Sequence, residues 1–108
     1  MNDLGRPSLY GAYHDIEVIG STSNKSKADV VGPVCESTDF FAKDRVLPLT
    51  KHDDLLVIKS AGAYCFTMSS NYNTRARVAE VGLIDGKDRL IRERDNFEEM
   101  IKNEAKCI

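Results

Sequence analysis

The stretch RVAEVGLIDGKDRLIRER, residues 77–94, indicates the fold class most directly. Residues 77–84 and 89–94 both have the composition of β-strands, and Asp85-Gly86 between them is a pair that favours the tight turn of a β-hairpin. The pattern therefore predicts two antiparallel strands joined at Asp85-Gly86.

Further strands are predicted on the N-terminal side of this hairpin. Residues 14–19, HDIEVI, alternate polar and apolar side chains, which is typical of a half-buried strand. Residues 29–34 and the apolar run DLLVIK at 54–59 also favour strands. We interpret the polar segment 20–28 as a solvated loop that forms a long hairpin connection.

Short helices complete the predicted structure. One helical turn is expected after Pro7, and another over residues 37–43 with Ser37 or Thr38 as its N-cap. SAGAY at 60–64 allows a tight turn into a short helix. Residues 96–105 have apolar side chains at helical spacing, with acids near the start and lysines near the end, as the helix dipole favours. We therefore expect a mainly β fold, a sandwich or barrel with short helices, in a single domain over residues 1–108.

The composition excludes several classes of function. The 108 residues are 42% hydrophobic and 30% charged, as in soluble globular domains, and the formal net charge is −2. There is no basic stripe, so nucleic acid is not an expected partner. No apolar run approaches the roughly 18 residues of a membrane span, so no membrane association is expected.

The cysteines and histidines do not form a metal or disulfide pattern. Cys35, Cys65 and Cys107 are odd in number and lack metal-ligand spacing, and the two histidines are isolated. Reduced thiols in the cytoplasm are the expected state.

Four segments are richer in functional groups than a plain β-domain requires. Residues 6–10 combine an arginine, which can bind a carboxylate through two parallel hydrogen bonds, with a tyrosine. GPVCESTDFF at 32–41 contains a thiol and two acids suited to acid–base chemistry or amine binding. Residues 60–64 would let a ligand approach the backbone, with Tyr64 as a donor to a phosphate. Residues 68–73, MSSNYN, are the fourth.

Each segment also has a plain structural interpretation. The arginine can lie at the surface, the cysteine can be a small core residue beside solvated acids, and Tyr64 can simply be packed. The serines and asparagines of 68–73 can be capping residues. The residues alone leave these alternatives open.

Three long motifs in order resemble the diaminopimelate decarboxylase family. They are MNDLGRPSLYGAYH at 1–14, VVGPVCESTDFFAKDRVLP at 30–48 and SAGAYCFTMSSNYNTRAR at 60–77. The segment 79–100 is similar to the family's closing hairpin and helix, so the resemblance spans essentially the whole chain. These enzymes are pyridoxal-phosphate-dependent decarboxylases of the alanine racemase fold type.

The resemblance implies a two-domain, homodimeric enzyme that converts meso-diaminopimelate to L-lysine. A (β/α)8 barrel would hold pyridoxal 5'-phosphate on a lysine, and this chain would be only the C-terminal β-domain, so that Met1 is not a natural start. Eight lysines are present, but none lies in a motif like the family's cofactor lysine, and the glycine-rich phosphate loop is absent. We therefore expect the 108-residue chain alone to be inactive.

The resemblance also implies roles for five residues. Arg6 and Tyr10 correspond to the pair that holds the distal carboxylate of the substrate. Glu36 corresponds to the residue that binds the distal amino group, and Cys35 to the proton donor, both inserted into the site of the neighbouring subunit. Tyr64 corresponds to a tyrosine that contacts the cofactor phosphate and lies near the substrate.

Two departures from the family pattern and two alternative functions accompany this interpretation. Gly5 stands where a bulky apolar residue is usual, and Cys65 where glycine is common; no role is assigned to Cys65. A related ornithine- or lysine-type decarboxylase is one alternative, although such substrates lack the distal carboxylate that Arg6 and Tyr10 would bind. The other is a non-catalytic β-domain that serves dimerisation.

Overall fold

The computed structural model describes residues 1–21 and 23–108, and its chain divides into two compact units. The first comprises Met1 and Asp3–Met68, and the second comprises Asn2 and Ser69–Ile108. That the 108 residues form one domain stays a prediction. No helix among the described residues has the length and apolar character needed to cross a bilayer.

The described residues of the first unit form one short helix, four strands and a 3-10 turn. These are α1 (Arg6–Tyr10), β1 (Ile16–Val18), β2 (Lys25–Val31), β3 (Phe40–Pro48), β4 (Leu56–Ile58) and the turn Phe66–Met68. β1 pairs antiparallel with β4, and β2 pairs antiparallel with β3. The predicted helical turn after Pro7, the strand within 54–59 and the turn into a short helix after 60–64 are confirmed.

The core of the first unit lies where these two sheets meet. In β1 the side chains of Ile16 and Val18 are buried and Glu17 between them is exposed, as the alternating sequence predicts. Ile16 packs with Ala42 and Leu47 of β3. The helix α1 packs against β3, residues 32–39 lead into β3, and residues 60–64 follow β4.

The predictions for segments 20–28 and 29–34 are wrong in their bounds, because the strand expected over 29–34 runs from Lys25 to Val31. Residues 25–28 belong to β2 rather than to a loop, and β1 pairs with β4, so segment 20–28 is not a hairpin connection; Thr22 of that segment lies outside the described residues. An ion pair supports the observed pairing, since Lys59 Nζ lies 2.8 Å from Glu17 Oε2 across the two strands. Lys59 also donates its backbone N–H to the Asp15 carbonyl.

The expected helical turn over residues 37–43 is also wrong. Phe40–Pro48 form the strand β3, which pairs with β2 from Lys25↔Pro48 to Val31↔Phe40. Because Ala42 and Leu47 of this strand supply the core, burial of apolar surface outweighs the local capping preference of Ser37 and Thr38.

The second unit contains the hairpin and the C-terminal helix that the sequence predicts. β5 (Glu80–Ile84) pairs with β6 (Lys87–Arg92), the helix α2 spans Phe97–Ala105, and Tyr72–Thr74 form a 3-10 turn. Asp85 and Gly86 have φ angles of 51° and 72°, as a two-residue hairpin turn requires. Asn96 caps α2 by accepting the Glu99 N–H at 2.8 Å. The mainly β fold class with few short helices is confirmed.

An ion pair between Arg77 and Asp95 stabilises the second unit. Asp95 accepts hydrogen bonds from the Arg77 guanidinium, Nε to Oδ2 at 2.8 Å, and from the Asn71 amide at 2.9 Å. The Arg77 hydrogen bond holds the pKa of Asp95 well below its ordinary 3.8. Because the folded pKa is depressed, the stabilisation is complete above the ordinary pKa and is lost as the pH falls below it.

Asp95→Asn is therefore expected to destabilise the second unit at neutral pH and to flatten its loss of stability below about pH 4. Amide hydrogen exchange of residues 69–108, followed by mass spectrometry between pH 3 and 7, measures this effect. Asp88→Asn on the exposed strand β6 is the matched control and should leave the profile unchanged. If the pH dependence of exchange in Asp95→Asn coincides with that of the wild type, the Arg77–Asp95 ion pair does not stabilise the second unit.

Candidate functional site

The helix α1 places Arg6 and Tyr10 side by side. Pro7 lies in its first turn, where the missing N–H has no helical partner to lose. Residues four apart in a helix are neighbours on its surface, so the Arg6 guanidinium and the Tyr10 phenol share one face. Tyr10 is 68% exposed, which leaves its hydroxyl free to contact a ligand.

Tyr64 joins the α1 residues through its ring. The guanidinium carbon of Arg6 lies 5.9 Å from the centroid of the Tyr64 ring, within cation–π range. Tyr64 has a φ of 59°, a left-handed conformation that residues other than glycine rarely adopt. The structure thus brings together the first and third of the segments that the sequence singled out.

Cys65 anchors the chain beside Tyr64. Its Sγ donates to the carbonyl of Asp3 at 3.0 Å. The sequence assigned no role to Cys65, and nothing in its local pattern could reveal a partner 62 residues away. Its thiol therefore has a structural contact that links the Tyr64 segment to the chain just before α1.

Cys35 and Glu36 lie on an exposed turn between β2 and β3, which we call the CE loop (residues 32–39). Glu36 donates its N–H to the Val34 carbonyl at 2.8 Å, and its own carbonyl accepts the Asp39 N–H at 3.0 Å. Both Cys35 and Glu36 are exposed at the tip. The thiol is therefore exposed in this chain and does not belong to the apolar core of the first unit.

The carboxylate of Glu36 is oriented by its own loop. Its Oε1 accepts the Thr38 N–H at 3.3 Å and the Ser37 hydroxyl at 3.4 Å. The Thr38 hydrogen bond lowers the pKa of Glu36 below its ordinary 4.5. The CE loop thus presents a carboxylate that is ionised at neutral pH and suited to pairing with an ammonium group.

A hydrogen bond connects α1 to the CE loop. The hydroxyl of Ser8 donates to the carbonyl of Thr38. Ser8 lies between Arg6 and Tyr10 in sequence, and Thr38 lies two residues after Glu36. The elements that carry the arginine and the glutamate are therefore neighbours, although they are about thirty residues apart in the chain.

Two further residue sets from the sequence have structural contacts. Asp39 is only 3% exposed, so it is not a solvated acid beside Cys35, and its Oδ2 accepts the Val34 N–H at 2.8 Å. In segment 68–73, the Asn71 amide donates to the Arg75 carbonyl at 3.0 Å as well as to Asp95. Asn71 is the N-cap residue of the 3-10 turn Tyr72–Thr74 but makes no side-chain capping bond there, so its contacts are structural ones of another kind.

Residues 1–62 match the family described as pyridoxal-dependent decarboxylase, C-terminal sheet domain. The chain belongs to this family. The match includes Arg6, Tyr10, Cys35 and Glu36, whereas Tyr64 lies just beyond it.

The curated relatives of the chain carry the name diaminopimelate decarboxylase, which confirms the resemblance in the sequence. The protein from Campylobacter jejuni is 58% identical over 108 residues, covering 100% of this chain and 27% of the relative. That from Zymomonas mobilis is 49% identical over 106 residues, covering 98% and 25%. The crystal structure of diaminopimelate decarboxylase from Helicobacter pylori complexed with L-lysine superimposes with a TM-score of 0.93 at 46% identity, covering 100% of this chain and 27% of that one.

The chain spans about a quarter of the length of these relatives. Its described residues contain no (β/α)8 barrel, in agreement with the expected C-terminal β-domain.

Of the hydrogen-bond donors near residue 64, the Tyr64 hydroxyl suits a phosphate-bearing cofactor and the nearest lysine does not. The Tyr64 side chain is 63% exposed, and a phenol hydroxyl can donate a hydrogen bond to a phosphate oxygen. The nearest lysine in sequence, Lys59, instead bonds the carboxylates of Glu17 and Asp15, at 2.8 and 3.4 Å. The Tyr64 hydroxyl can therefore contact such a cofactor. The Lys59 ammonium is already paired with two carboxylates.

Proposed function

We propose that this chain is the substrate-recognition domain of an enzyme that converts meso-diaminopimelate to L-lysine with pyridoxal 5'-phosphate. The observation that carries the proposal is the Arg6–Tyr64 contact, which puts the carboxylate-binding arginine beside the cofactor-contacting tyrosine. The distal centre of diaminopimelate has both an ammonium and a carboxylate, so it needs an anion and a cation together. Arg6 supplies the cation, and Glu36 of the partner subunit supplies the anion.

Each of the five residues then has a defined task. Arg6 and Tyr10 bind the distal carboxylate, and Glu36 binds the distal ammonium. The Cys35 thiol donates a proton to the carbon that loses carbon dioxide. Tyr64 donates its hydroxyl to the cofactor phosphate. When bound, the cofactor withdraws electrons from the reacting carbon, and the residues of this chain orient the substrate and move the proton.

The proposal extends to the assembly. Residues 1–108 act as one β-domain beside a (β/α)8 barrel that holds the cofactor lysine. The exposed CE loop tip reaches the active site of a second subunit in a homodimer. Three free thiols favour a reducing compartment, so we propose a cytoplasmic enzyme. Sedimentation of the full-length enzyme tests the dimer, and a monomer at micromolar concentration would contradict it.

Turnover of three amino acids by the full-length enzyme with added cofactor tests the function. We expect release of carbon dioxide from meso-diaminopimelate, with kcat/KM roughly 10⁴-fold above that for L-ornithine or L-lysine, because those leave the Arg6 site unpaired. The isolated 108-residue chain should release none. Comparable turnover of ornithine would favour the related decarboxylase, and no turnover of any substrate would favour a non-catalytic domain.

A further inference from the structure

We infer that Asp39 is a positioning residue that holds the CE loop in its working conformation. This inference rests on the proposed function, since it concerns how Cys35 and Glu36 are presented. Asp39 itself is buried and would not touch the substrate. It closes the C-terminal end of the loop whose tip carries both functional side chains.

Asp39 forms hydrogen bonds with the backbone of the CE loop through its carboxylate and through its own backbone groups. Its Oδ2 accepts the Val34 N–H at 2.8 Å, one residue before Cys35. Its backbone carbonyl accepts the Gly32 N–H at 2.8 Å, and its N–H donates to the Glu36 carbonyl at 3.0 Å. The Asp39 side chain therefore ties Val34, near the start of the CE loop, to the loop's C-terminal end, and the backbone bonds of Asp39 close the loop beside it.

Gly32 makes room for this carboxylate. A Cβ atom at Gly32 would lie 2.2 Å from Asp39 Oδ2 and 2.4 Å from Oδ1, so no larger residue fits unless the carboxylate moves. The close approach leaves Asp39 little freedom, and buried polar groups are costly when they lose their partners. The loop conformation and the Asp39 side chain thus depend on each other.

Loss of this carboxylate should misplace the loop tip without removing any group that contacts the substrate. Displacement of a reacting group by about 1 Å costs on the order of 100-fold in rate. We expect Asp39→Ala in the full-length enzyme to lower kcat/KM for meso-diaminopimelate by about that factor. Asp39→Asn, which keeps an oxygen for the Val34 N–H, should recover most of the activity.

The experiment combines steady-state kinetics with the rate of Cys35 alkylation by iodoacetamide, read by peptide mass spectrometry. Alkylation does not require turnover, so it tests loop positioning even if the wild-type enzyme fails to act on meso-diaminopimelate. Cys35 should react at a different rate in Asp39→Ala, whereas Cys107 should not change. Asp29→Ala is the matched control, because Asp29 also accepts a backbone N–H, from Asp44 at 2.8 Å, away from the loop.

Gly32→Ala tests the same inference if Asp39→Ala does not fold. The added methyl group displaces the Asp39 carboxylate but leaves Asp39 in place. Lower kcat/KM and altered Cys35 alkylation in Gly32→Ala, with both unchanged in Asp29→Ala, would support the inference. Wild-type kinetics and alkylation in a folded Asp39→Ala or Gly32→Ala variant would overturn it.

Discussion

Cys35→Ala in the full-length enzyme is expected to lower kcat for meso-diaminopimelate by roughly 10²–10⁴-fold, the usual contribution of a positioned acid or base. KM should change little, because the thiol in our proposal moves a proton and does not hold the substrate. The substitution lies at an exposed loop tip, so the free energy of unfolding should not fall appreciably. Initial rates of carbon dioxide release measure the effect.

Cys107→Ala is the control for loss of an exposed thiol. Cys107 is also free and exposed, and it follows α2 in the second unit. It should retain wild-type kcat. A Cys35→Ala enzyme with unchanged kcat would show that the proton comes from another group.

Glu36→Gln is expected to lower kcat/KM for meso-diaminopimelate by about 100-fold, since the distal ammonium loses its charged partner. Because hydrogen bonding from Thr38 lowers the pKa of Glu36, the wild-type carboxylate stays charged above its ordinary pKa of 4.5. Ammonium binding by the wild type should therefore weaken only as the pH falls below that value. Glu36→Gln should lose this acid limb of the kcat/KM profile.

Glu17→Gln provides the matched control. Glu17 is an exposed carboxylate on β1 that pairs with Lys59 rather than with a substrate. Its kinetics on meso-diaminopimelate should be those of the wild type. Equal kcat/KM for Glu36→Gln and wild type would remove Glu36 from substrate recognition.

The strands and helices that local chemistry determines could be predicted from the sequence. Asp85-Gly86 requires a turn with positive φ angles, and Asn96 caps α2 through its own side chain, so both features appear as expected. Strand pairing could not be predicted in the same way. β1 pairs with β4, about 40 residues later, which brings the buried Ile16 opposite the partly buried Ile58.

The end of the CE loop and the strand after it show why local signals fail. Ser37 and Thr38 have the chemistry of helix caps, but they form a turn of the loop, and β3 begins at Phe40. Asp39 binds the Val34 N–H, and the chain that follows supplies Ala42 and Leu47 to the core. These contacts depend on the fold as a whole, so a short window of sequence cannot contain them.

The candidate site was found through the resemblance rather than through residue chemistry alone. Each of its segments had a plain structural interpretation that composition could not reject. The structure adds the physical links, namely the Arg6–Tyr64 contact and the Ser8–Thr38 hydrogen bond. Both join residues far apart in the chain, and neither pair follows from a spacing rule.

The most direct test of the central claim, that this chain is one domain of an enzyme whose cofactor is attached to a lysine outside it, is borohydride reduction of the full-length enzyme followed by peptide mapping. Reduction makes the bond between the cofactor and its lysine permanent. We predict one cofactor-modified lysine, outside residues 1–108. A modification on any of the eight lysines of this chain, such as Lys59 beside the Tyr64 segment, would contradict the account.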